Sequence, residues 1–291
     1  MSSGHDDAGL ASDLLTLALR EDLGDGGDIT SKAFIPAESV SRAKIVAREE
    51  CIASGLSTAA EVFQRIDPDL QVNIRCAEGD HLQKGAGLLE VIGSTRSILS
   101  GERTALNFLG RLCGVATHSG RYADAVQGIN VALLDTRKTT PGWRLLEKQA
   151  VKAGGCSNHR MGLHDAVLVK DNHLAALGSL DALPKVISKL HAEHPGQKIE
   201  IEADTLEQVE RLLGMEGIDV ILLDNMPPDT IRKAVALRDA TAPEVLLEAS
   251  GGITLEDLRT IAETGVDRIS VGALTHSAPN ADLSLELGND S

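Results

Sequence analysis

The stretch VALLDTRKTTPGWRLLEKQAVKAGGCSNHRMGLHDAVLVKDNH, residues 131–173, decides the fold of this chain. It contains two apolar runs, VALLDT and AVLV, and each run breaks directly into charged residues. The first run leads into Arg137 and Lys138, and the second leads into Lys170. A buried strand whose last residues turn polar is typical of α/β barrels, which present their chemistry at the carboxyl ends of their strands. We therefore expect each run to be a barrel strand.

From residue 130 onward, apolar strands alternate with amphipathic helices. The strands are predicted at 131–136, 166–172, 199–203, 219–225, 245–252 and 267–274, and the helices at 142–154, 180–194, 205–214, 228–240 and 254–264. This alternation predicts a parallel sheet with helical crossovers. An open doubly wound sheet is the competing topology, but no GxGxxG sequence follows any of the strands, so its dinucleotide-binding form is not supported.

The ends of the six strands favour a barrel over an open sheet. An open sheet would concentrate reactive residues at one switch point, whereas a ring of strands brings all six ends together. Here every strand ends in reactive or small residues, which are Arg137 and Lys138; Lys170; Glu202; Asp224; Ser250, Gly251 and Gly252; and Gly272 followed by His276.

The first third of the chain is predicted to be a separate α+β module. Its expected elements are a helix at 10–22, strands within 41–55 and 70–94, and a long helix at about 99–126. The domains are therefore expected at 1–115 and 116–277, and the tail at 278–291 is expected to return to the first domain.

The charge distribution indicates the kind of ligand. The 291-residue chain has a net charge of -15, yet residues 137–170 contain seven Lys or Arg against two acids, Glu147 and Asp165. A cationic cluster inside an acidic protein suits a small polyanion held in a pocket, whereas nucleic acid would need a broad basic face. Because only 2% of the residues are aromatic, recognition is expected to depend on polar and ionic contacts.

The sequence disfavours membrane insertion and zinc binding. No apolar run approaches the roughly 20 residues of a spanning helix, and the polar first nine residues lack the apolar region of a signal peptide. Four cysteines, at 51, 76, 113 and 156, have no metal-binding spacing. We therefore expect a reduced, cytoplasmic and zinc-free protein.

Some candidate residues have a structural explanation as well as a functional one. Glu200 and Glu202 alternate within one strand and share a face, where two carboxylates are costly unless cations or a metal match them. One of the two is expected to pair with a structural lysine. A functional role is favoured for Asp224, with capping of the next helix as the alternative. Arg103, in a charged first helical turn, receives little weight from the residues alone. The small-residue turns at 250–253 and 270–273 are together typical of a phosphate site.

Nine segments carry a family resemblance in order and in spacing, from about residue 21 to 284. They are EDLGDGGDITS, GERTALNFLGRLCGVAT, DTRKTTPGWR, GGCSNHRMGLHD, VKDNH, EIEADTLEQ, LLDNM, LEASGGI and SVGALTHS. With these segments the chain resembles the quinolinate phosphoribosyltransferase (nicotinate-nucleotide pyrophosphorylase) family of type II phosphoribosyltransferases. It departs mildly at Cys156, where the family commonly has Gly, and at Trp143, where a smaller apolar residue is usual.

The resemblance implies an α/β fold with two parts, an N-terminal α+β open-faced sandwich and an incomplete TIM-like α/β barrel. It also implies a homodimer with shared active sites, in which the N-terminal domain of one subunit covers the barrel mouth of its partner. The implied reaction joins quinolinate to phosphoribosyl pyrophosphate, with Mg2+, and yields nicotinate mononucleotide, pyrophosphate and carbon dioxide in de novo NAD synthesis. Neither nucleic acid nor a membrane is an expected partner.

The resemblance also implies roles for individual residues, including Arg103. The implied quinolinate ligands are Arg103, Thr136, Arg137, Lys138, His159, Arg160 and Lys170. The implied ligands of phosphoribosyl pyrophosphate are Glu202, Asp224, Ser250, Gly251, Gly252, Val271, Gly272, Ala273 and His276. The implied catalytic residues are Lys138, Lys170, Glu202 and Asp224, and no direct metal ligand is assigned.

Three alternatives stay open at this point. A molybdenum-transport-associated relative of the same fold shares much of the pattern. A barrel aldolase would use Lys170 as a Schiff-base lysine, whereas the phosphoribosyltransferase would use it as an anion ligand. A purely structural protein is the third alternative, and the cost of burying so many ionic groups counts against it.

Overall fold

The computed structural model of this protein describes residues 4–288. The elements up to the long central helix are α1 (Gly4–Leu23), α2 (Ile29–Phe34), β1 (Val40–Ala47), β2 (Cys51–Ile52), α3 (Leu56–Ile66), β3 (Gln71–Ile74), β4 (His81–Leu82), β5 (Gly87–Ser94) and α4 (Thr95–Ala125). Those that follow are β6 (Ala132–Leu134), α5 (Arg144–Ala153), β7 (Val167–Val169), α6 (Asp171–Leu177), a 3-10 turn (Leu180–Ala182), α7 (Leu183–Glu193), β8 (Ile199–Ala203), α8 (Leu206–Leu213), β9 (Val220–Asp224), α9 (Pro228–Thr241), β10 (Leu246–Ser250), α10 (Leu255–Ala262), β11 (Arg268–Ser270), α11 (Ala273–His276) and β12 (Leu283–Gly288). None of the helices within 4–288 combines the length and the apolar character needed to cross a membrane.

The chain forms two compact units. The first, here called the sandwich unit, consists of Met1–Arg121, Lys138–Gly155 and Leu274–Ser291. The second, here called the barrel unit, consists of Tyr122–Arg137 and Cys156–Ala273.

An antiparallel sheet in the order β12-β1-β5-β3 forms the base of the sandwich unit. Successive side chains of a strand point to opposite faces. On one face Ala43 and Ile45 are fully buried, and on the other Arg42 pairs with Glu90 at 3.1 Å. Arg75 also pairs with Glu90, so this buried carboxylate has two cationic partners. Because β12 pairs with β1, the strand at Leu283–Gly288 belongs to the N-terminal sheet.

The barrel unit is built on six parallel strands in the order β6-β11-β10-β9-β8-β7. Strands β7 to β10 each pair with the next strand in sequence, and the first strand, β6, pairs with the last strand of this sheet, β11. This circular order is that of a barrel, since an open doubly wound sheet would place later strands on both sides of the first. Strands β6 and β7 are the two ends of the order, so the barrel is incomplete. The predicted fold class is confirmed.

Three segments of the predicted barrel domain, 116–121, 138–155 and 274–277, are grouped with the sandwich unit. The longest of them, 138–155, contacts α4. The ring of Trp143 stacks on Phe108 of α4 with the centroids 4.6 Å apart, and Glu147 pairs with Arg111 of α4 at 2.7 Å. Helix α5 therefore packs on the long helix α4, a partner that strand and helix alternation cannot indicate.

Candidate active site

Two carboxylates of the barrel unit converge on the ring of His159. The Nε2 atom of His159 lies 3.2 Å from Glu200 Oε2 on β8 and 3.3 Å from Glu248 Oε1 on β10. Glu248 is completely buried and Glu200 is nearly so. Buried carboxylates are costly without a cation, so the two glutamates favour a charged imidazole between them.

The pKa of His159 reflects this arrangement. Burial alone would lower the pKa of His159, but the contacts with Glu200 and Glu248 outweigh burial and raise the pKa to about 9. One contact acts in the opposite sense, because the Arg160 backbone N–H donates to His159 Nδ1 at 2.7 Å, which suits an unprotonated nitrogen. Two carboxylates at salt-bridge distance outweigh a single neutral hydrogen bond. The two carboxylates therefore favour the protonated form of the ring.

Further cations lie beside His159 in the barrel unit. Burial and the charge of Arg137 lower the pKa of Arg160, so the two guanidinium groups are near each other. The Arg160 side chain is anchored through Nη1, which donates to the Ala166 carbonyl at 3.0 Å. Asp135 is fully buried after β6, and its Oδ1 accepts the His159 backbone N–H at 2.8 Å. Three predicted quinolinate ligands are thus brought together, and Thr136 lies in the chain directly before Arg137.

A group of three carboxylates lies at the ends of β8 and β9. Glu202, Asp204 and Asp224 offer oxygen atoms that all lie within 4.8 Å of one another. Three carboxylates this close repel one another unless they share a cation, and oxygen ligands of this kind suit Mg2+. These three could therefore hold a divalent metal ion together with a phosphorylated substrate. The group of His159, Glu200 and Glu248 also has the spacing of metal ligands.

Lys170 pairs with this acidic group. Its Nζ lies 3.4 Å from Glu202 Oε2, and its side chain is half exposed. We expected one of the two strand glutamates to pair with a purely structural lysine. The structure instead places Glu200 beside His159, and Glu202 beside a lysine that was itself predicted to be a site residue.

Asp224 lies beside the glycine turn that follows β10. It does not cap the next helix: α9 follows Pro227, and Asp224 Oδ2 instead accepts from Asn225 Nδ2 at 2.6 Å. Asn225 has a left-handed φ of 52°, which Asn tolerates better than most residues. At Gly251 a Cβ would lie 2.3 Å from Asn225 Oδ1, so this position needs glycine. The turn at 250–252 therefore contacts the segment that carries Asp224.

The second predicted phosphate turn follows β11, which pairs with β10, so the two turns leave neighbouring strands. The Val271 N–H donates to the Leu134 carbonyl at 2.9 Å. This donor is used within the sheet and is not available to a phosphate. Gly272 and Ala273 come next in the chain, at the start of α11.

Three predicted site residues belong to the sandwich unit, and all three are exposed. Arg103 lies on α4, Lys138 follows Arg137 directly in the chain, and His276 ends α11. The remaining predicted residues all belong to the barrel unit.

Four residues around the site were not predicted from sequence. Asp135 and Glu248 are single carboxylates within apolar strand segments, VALLDT and VLLEAS. Glu200 was singled out because it is a carboxylate within an apolar strand. The same reasoning could have identified Asp135 and Glu248. Asp204 and Asn225 each lie within two residues of a predicted site residue, but only the folded chain shows that their side chains turn toward it.

Comparison with known proteins shows the family of the chain. The quinolinate phosphoribosyl transferase N-terminal domain matches residues 28–113, and the C-terminal domain matches residues 115–286. The nicotinate-nucleotide pyrophosphorylase (carboxylating) of Mycobacterium leprae is 44% identical over 280 residues, which cover 95% of this chain and 97% of the relative. The probable enzyme of Bacillus subtilis is 43% identical over 281 residues, 96% of this chain and 94% of the relative. A solved nicotinate-nucleotide pyrophosphorylase from Francisella tularensis superposes with a TM-score of 0.88 at 35% identity and covers 96% of both chains. The chain therefore belongs to the quinolinate phosphoribosyltransferase family.

Proposed function

We propose that this chain is a decarboxylating quinolinate phosphoribosyltransferase of de novo NAD synthesis, with its chemistry in the barrel unit. The activity is named in relatives such as quinolinate phosphoribosyltransferase (decarboxylating) 1b of Nicotiana tabacum, 38% identical over 292 residues. One observation carries the assignment of the site. The barrel unit presents a cationic group suited to a dianion and, on other strands, a carboxylate group beside glycine turns suited to a phosphorylated sugar.

On the cationic side, Arg137, His159 and Arg160 bind the two carboxylates of quinolinate. Guanidinium groups form paired hydrogen bonds with a carboxylate, which fixes the plane of the pyridine ring as well as its charge. Thr136, Lys138 and Lys170 complete the set, and Arg103 is supplied by the partner subunit.

On the sugar side, the turn at 250–252, the residues Gly272 and Ala273, and His276 bind the phosphate groups of phosphoribosyl pyrophosphate, without the Val271 N–H, which donates to Leu134. As the bond to pyrophosphate breaks, positive charge builds on the ribose ring, and Glu202 and Asp224 face that charge. Lys138 and Lys170 stabilise the departing pyrophosphate. Glu202 and Asp224, with Asp204, would hold Mg2+, which supplies further charge neutralisation to the pyrophosphate.

The ring nitrogen of quinolinate forms the new bond to the ribose carbon as pyrophosphate leaves. The nitrogen then carries a positive charge, so the ring can accept the electron pair that is released when the adjacent carboxylate departs as carbon dioxide. A proton takes the place of the lost carboxylate, and the product is nicotinate mononucleotide.

We further propose a cytoplasmic homodimer with shared active sites. Two features of the sandwich unit support it. Arg103 is exposed on a helix turn where Thr104 and Ala105 are buried, so it is presented outward. Ile29 and Phe34 of α2 are also 74% and 82% exposed, which is unusual for large apolar side chains and is suited to a protein interface.

Quinolinate should be the substrate, and nicotinate should be turned over poorly. Nicotinate lacks one carboxylate and would leave buried cations unpaired, at a cost of about 1 to 3 kcal/mol for each group. Purified protein incubated with phosphoribosyl pyrophosphate and either acid should form nicotinate mononucleotide efficiently from quinolinate alone, as followed by chromatography. Equal turnover of the two acids would contradict the proposed substrate, and no product from quinolinate would contradict the proposed function.

The KM for quinolinate should depend on pH through His159. The imidazolium adds its positive charge to the quinolinate site only below its pKa of about 9. The wild-type KM should therefore stay low from about pH 7 to about pH 9 and rise above that, whereas the rise should begin at lower pH in Glu248→Gln, because the pKa of His159 falls toward its ordinary value of about 6.5. Initial rates at saturating phosphoribosyl pyrophosphate measure this. Superimposable pH profiles would show that Glu248 does not control the charge of His159.

A further inference from the structure

A buried hydrogen-bond network in the sandwich unit is centred on Arg111 of α4. Its Nη2 donates to Glu147 Oε1 at 2.7 Å and to the Thr275 carbonyl at 2.6 Å, and its Nη1 donates to the Ala278 carbonyl at 2.8 Å. Its Nε also donates to Glu147 Oε1 at 3.0 Å. One guanidinium group therefore joins α5 to the segment that follows β11.

The other end of the network holds the segment that follows β6. Thr140 donates to Glu147 through its backbone N–H at 3.1 Å and through its hydroxyl at 2.8 Å. The Thr275 hydroxyl donates to the Lys138 carbonyl at 2.9 Å, which ties the two segments to each other directly. Glu147 and Thr275 are completely buried. The network thus fixes the backbone of two segments that follow neighbouring barrel strands, β6 and β11.

This network does more than compensate a buried charge. One cation would be enough to neutralise the charge of Glu147, yet both of its oxygens also accept hydrogen bonds from Thr140. Arg111 in turn donates further hydrogen bonds to backbone carbonyls. Charge-assisted hydrogen bonds of this kind are short and directional. Lys138 lies two residues before Thr140, and His276 lies between the two carbonyls that Arg111 binds. Both residues have roles on the phosphate side of the proposed reaction.

We propose that Arg111 and Glu147 are positioning residues for phosphoribosyl pyrophosphate, which act by fixing the backbone of Lys138 and His276. This inference rests on the proposed function, because it takes the roles of those two residues from there. Glu147 is too deeply buried to contact a substrate itself. It acts by holding the backbone segments 138–140 and 275–278 in place. A displacement of about 1 Å in a catalytic group can cost roughly 100-fold in rate.

The test compares Glu147→Gln and Arg111→Lys with a matched control, Glu90→Gln. Glu90 is also a nearly buried carboxylate of the sandwich unit held by arginines, but it lies in the sheet outside this network. We expect kcat to fall roughly 10- to 100-fold in the two network variants and to change less than about 3-fold in the control. Melting temperatures of all three show whether loss of stability alone explains the difference. Arg111→Lys keeps the positive charge but loses the paired donors of the guanidinium group. If Glu147→Gln does not fold, Arg111→Lys alone is compared with the control.

A second readout does not depend on activity. Trp143 is the only tryptophan of the chain; it immediately precedes α5 and stacks on Phe108. Its emission should shift to longer wavelength, and acrylamide should quench it more, in Glu147→Gln and Arg111→Lys. Lys138→Ala should lose activity with unchanged emission, because it keeps the backbone carbonyl that accepts from Thr275.

The outcomes separate the inference from the function on which it rests. If the folded network variants keep wild-type kcat, or lose no more than the control does, the inference is overturned. It is also overturned if kcat falls while the Trp143 emission stays at the wild-type wavelength, because the segment that contains Lys138 and Trp143 has then not moved. If the wild-type protein forms no nicotinate mononucleotide, the proposed function fails, and this is seen without any variant.

Discussion

Replacing Glu202 by Gln should lower kcat by roughly 100- to 1,000-fold, because removal of one group that stabilises transition-state charge typically costs this much. Glutamine keeps the shape of the side chain and loses only its charge, so the ribose cation would no longer face a full carboxylate on β8. Because a buried carboxylate is costly and its partner Lys170 is half exposed, the melting temperature should stay unchanged or rise. Initial rates of nicotinate mononucleotide formation and a thermal melt measure the two effects.

The matched control is Glu210→Gln on α8, which removes the same charge from an exposed position of the same unit. It should keep wild-type kcat. If Glu202→Gln retains more than about a third of wild-type kcat at saturating substrates, Glu202 does not face the developing charge, because a loss this small is far below that expected for a transition-state contact.

Replacing Arg103 by Ala should raise the KM for quinolinate by roughly 10- to 100-fold, since a charge-assisted bidentate contact with one carboxylate would be lost. The KM for phosphoribosyl pyrophosphate should change little, because Arg103 is assigned to the quinolinate side alone. The KM values of the two substrates, measured separately, test this split.

Arg232→Ala is the control for Arg103→Ala, since Arg232 is an exposed arginine whose ion pair, with Asp229 at 2.7 Å, lies within its own helix. It should leave both KM values unchanged. A wild-type KM for quinolinate in Arg103→Ala would remove Arg103 from the site and, with it, the main support for a shared one.

The barrel could be predicted from the sequence because its signals are local. Each strand is an apolar run that ends in polar residues. When such strands form a ring, the first strand, β6, is expected to pair with the last, β11, as observed. The packing of residues 138–155 could not be predicted in this way. Trp143 stacks on Phe108, a residue 35 positions earlier, and no periodic pattern records such a contact.

The sequence could place charged side chains at the ends of strands, as at Lys170 after β7 and Asp224 at the end of β9. The environment of His159 was not predictable. Its charge depends on Glu200 and Glu248, which lie on β8 and β10 and approach one nitrogen atom only once the strands are curved into a barrel. Glu147 shows a different limit. In the sequence it was only one of two acids among seven cations. Its burial and its hydrogen bonds with Arg111 and Thr140 show that it holds the backbone around Thr140.

The shared site is tested most directly by mixing Arg103→Ala and Glu202→Gln, which alter different chains of any one site. The assay uses quinolinate well below the KM of Arg103→Ala, where each variant alone should have little activity. In a mixed dimer, one site carries both changes and the other carries neither. Co-refolding equal amounts should recover roughly a quarter of wild-type activity if subunits pair at random across a two-fold interface. Native mass spectrometry establishes that mixed dimers have formed. If they form and the mixture stays as inactive as its parents, Arg103 does not complete the neighbouring subunit's site, and the shared architecture is contradicted.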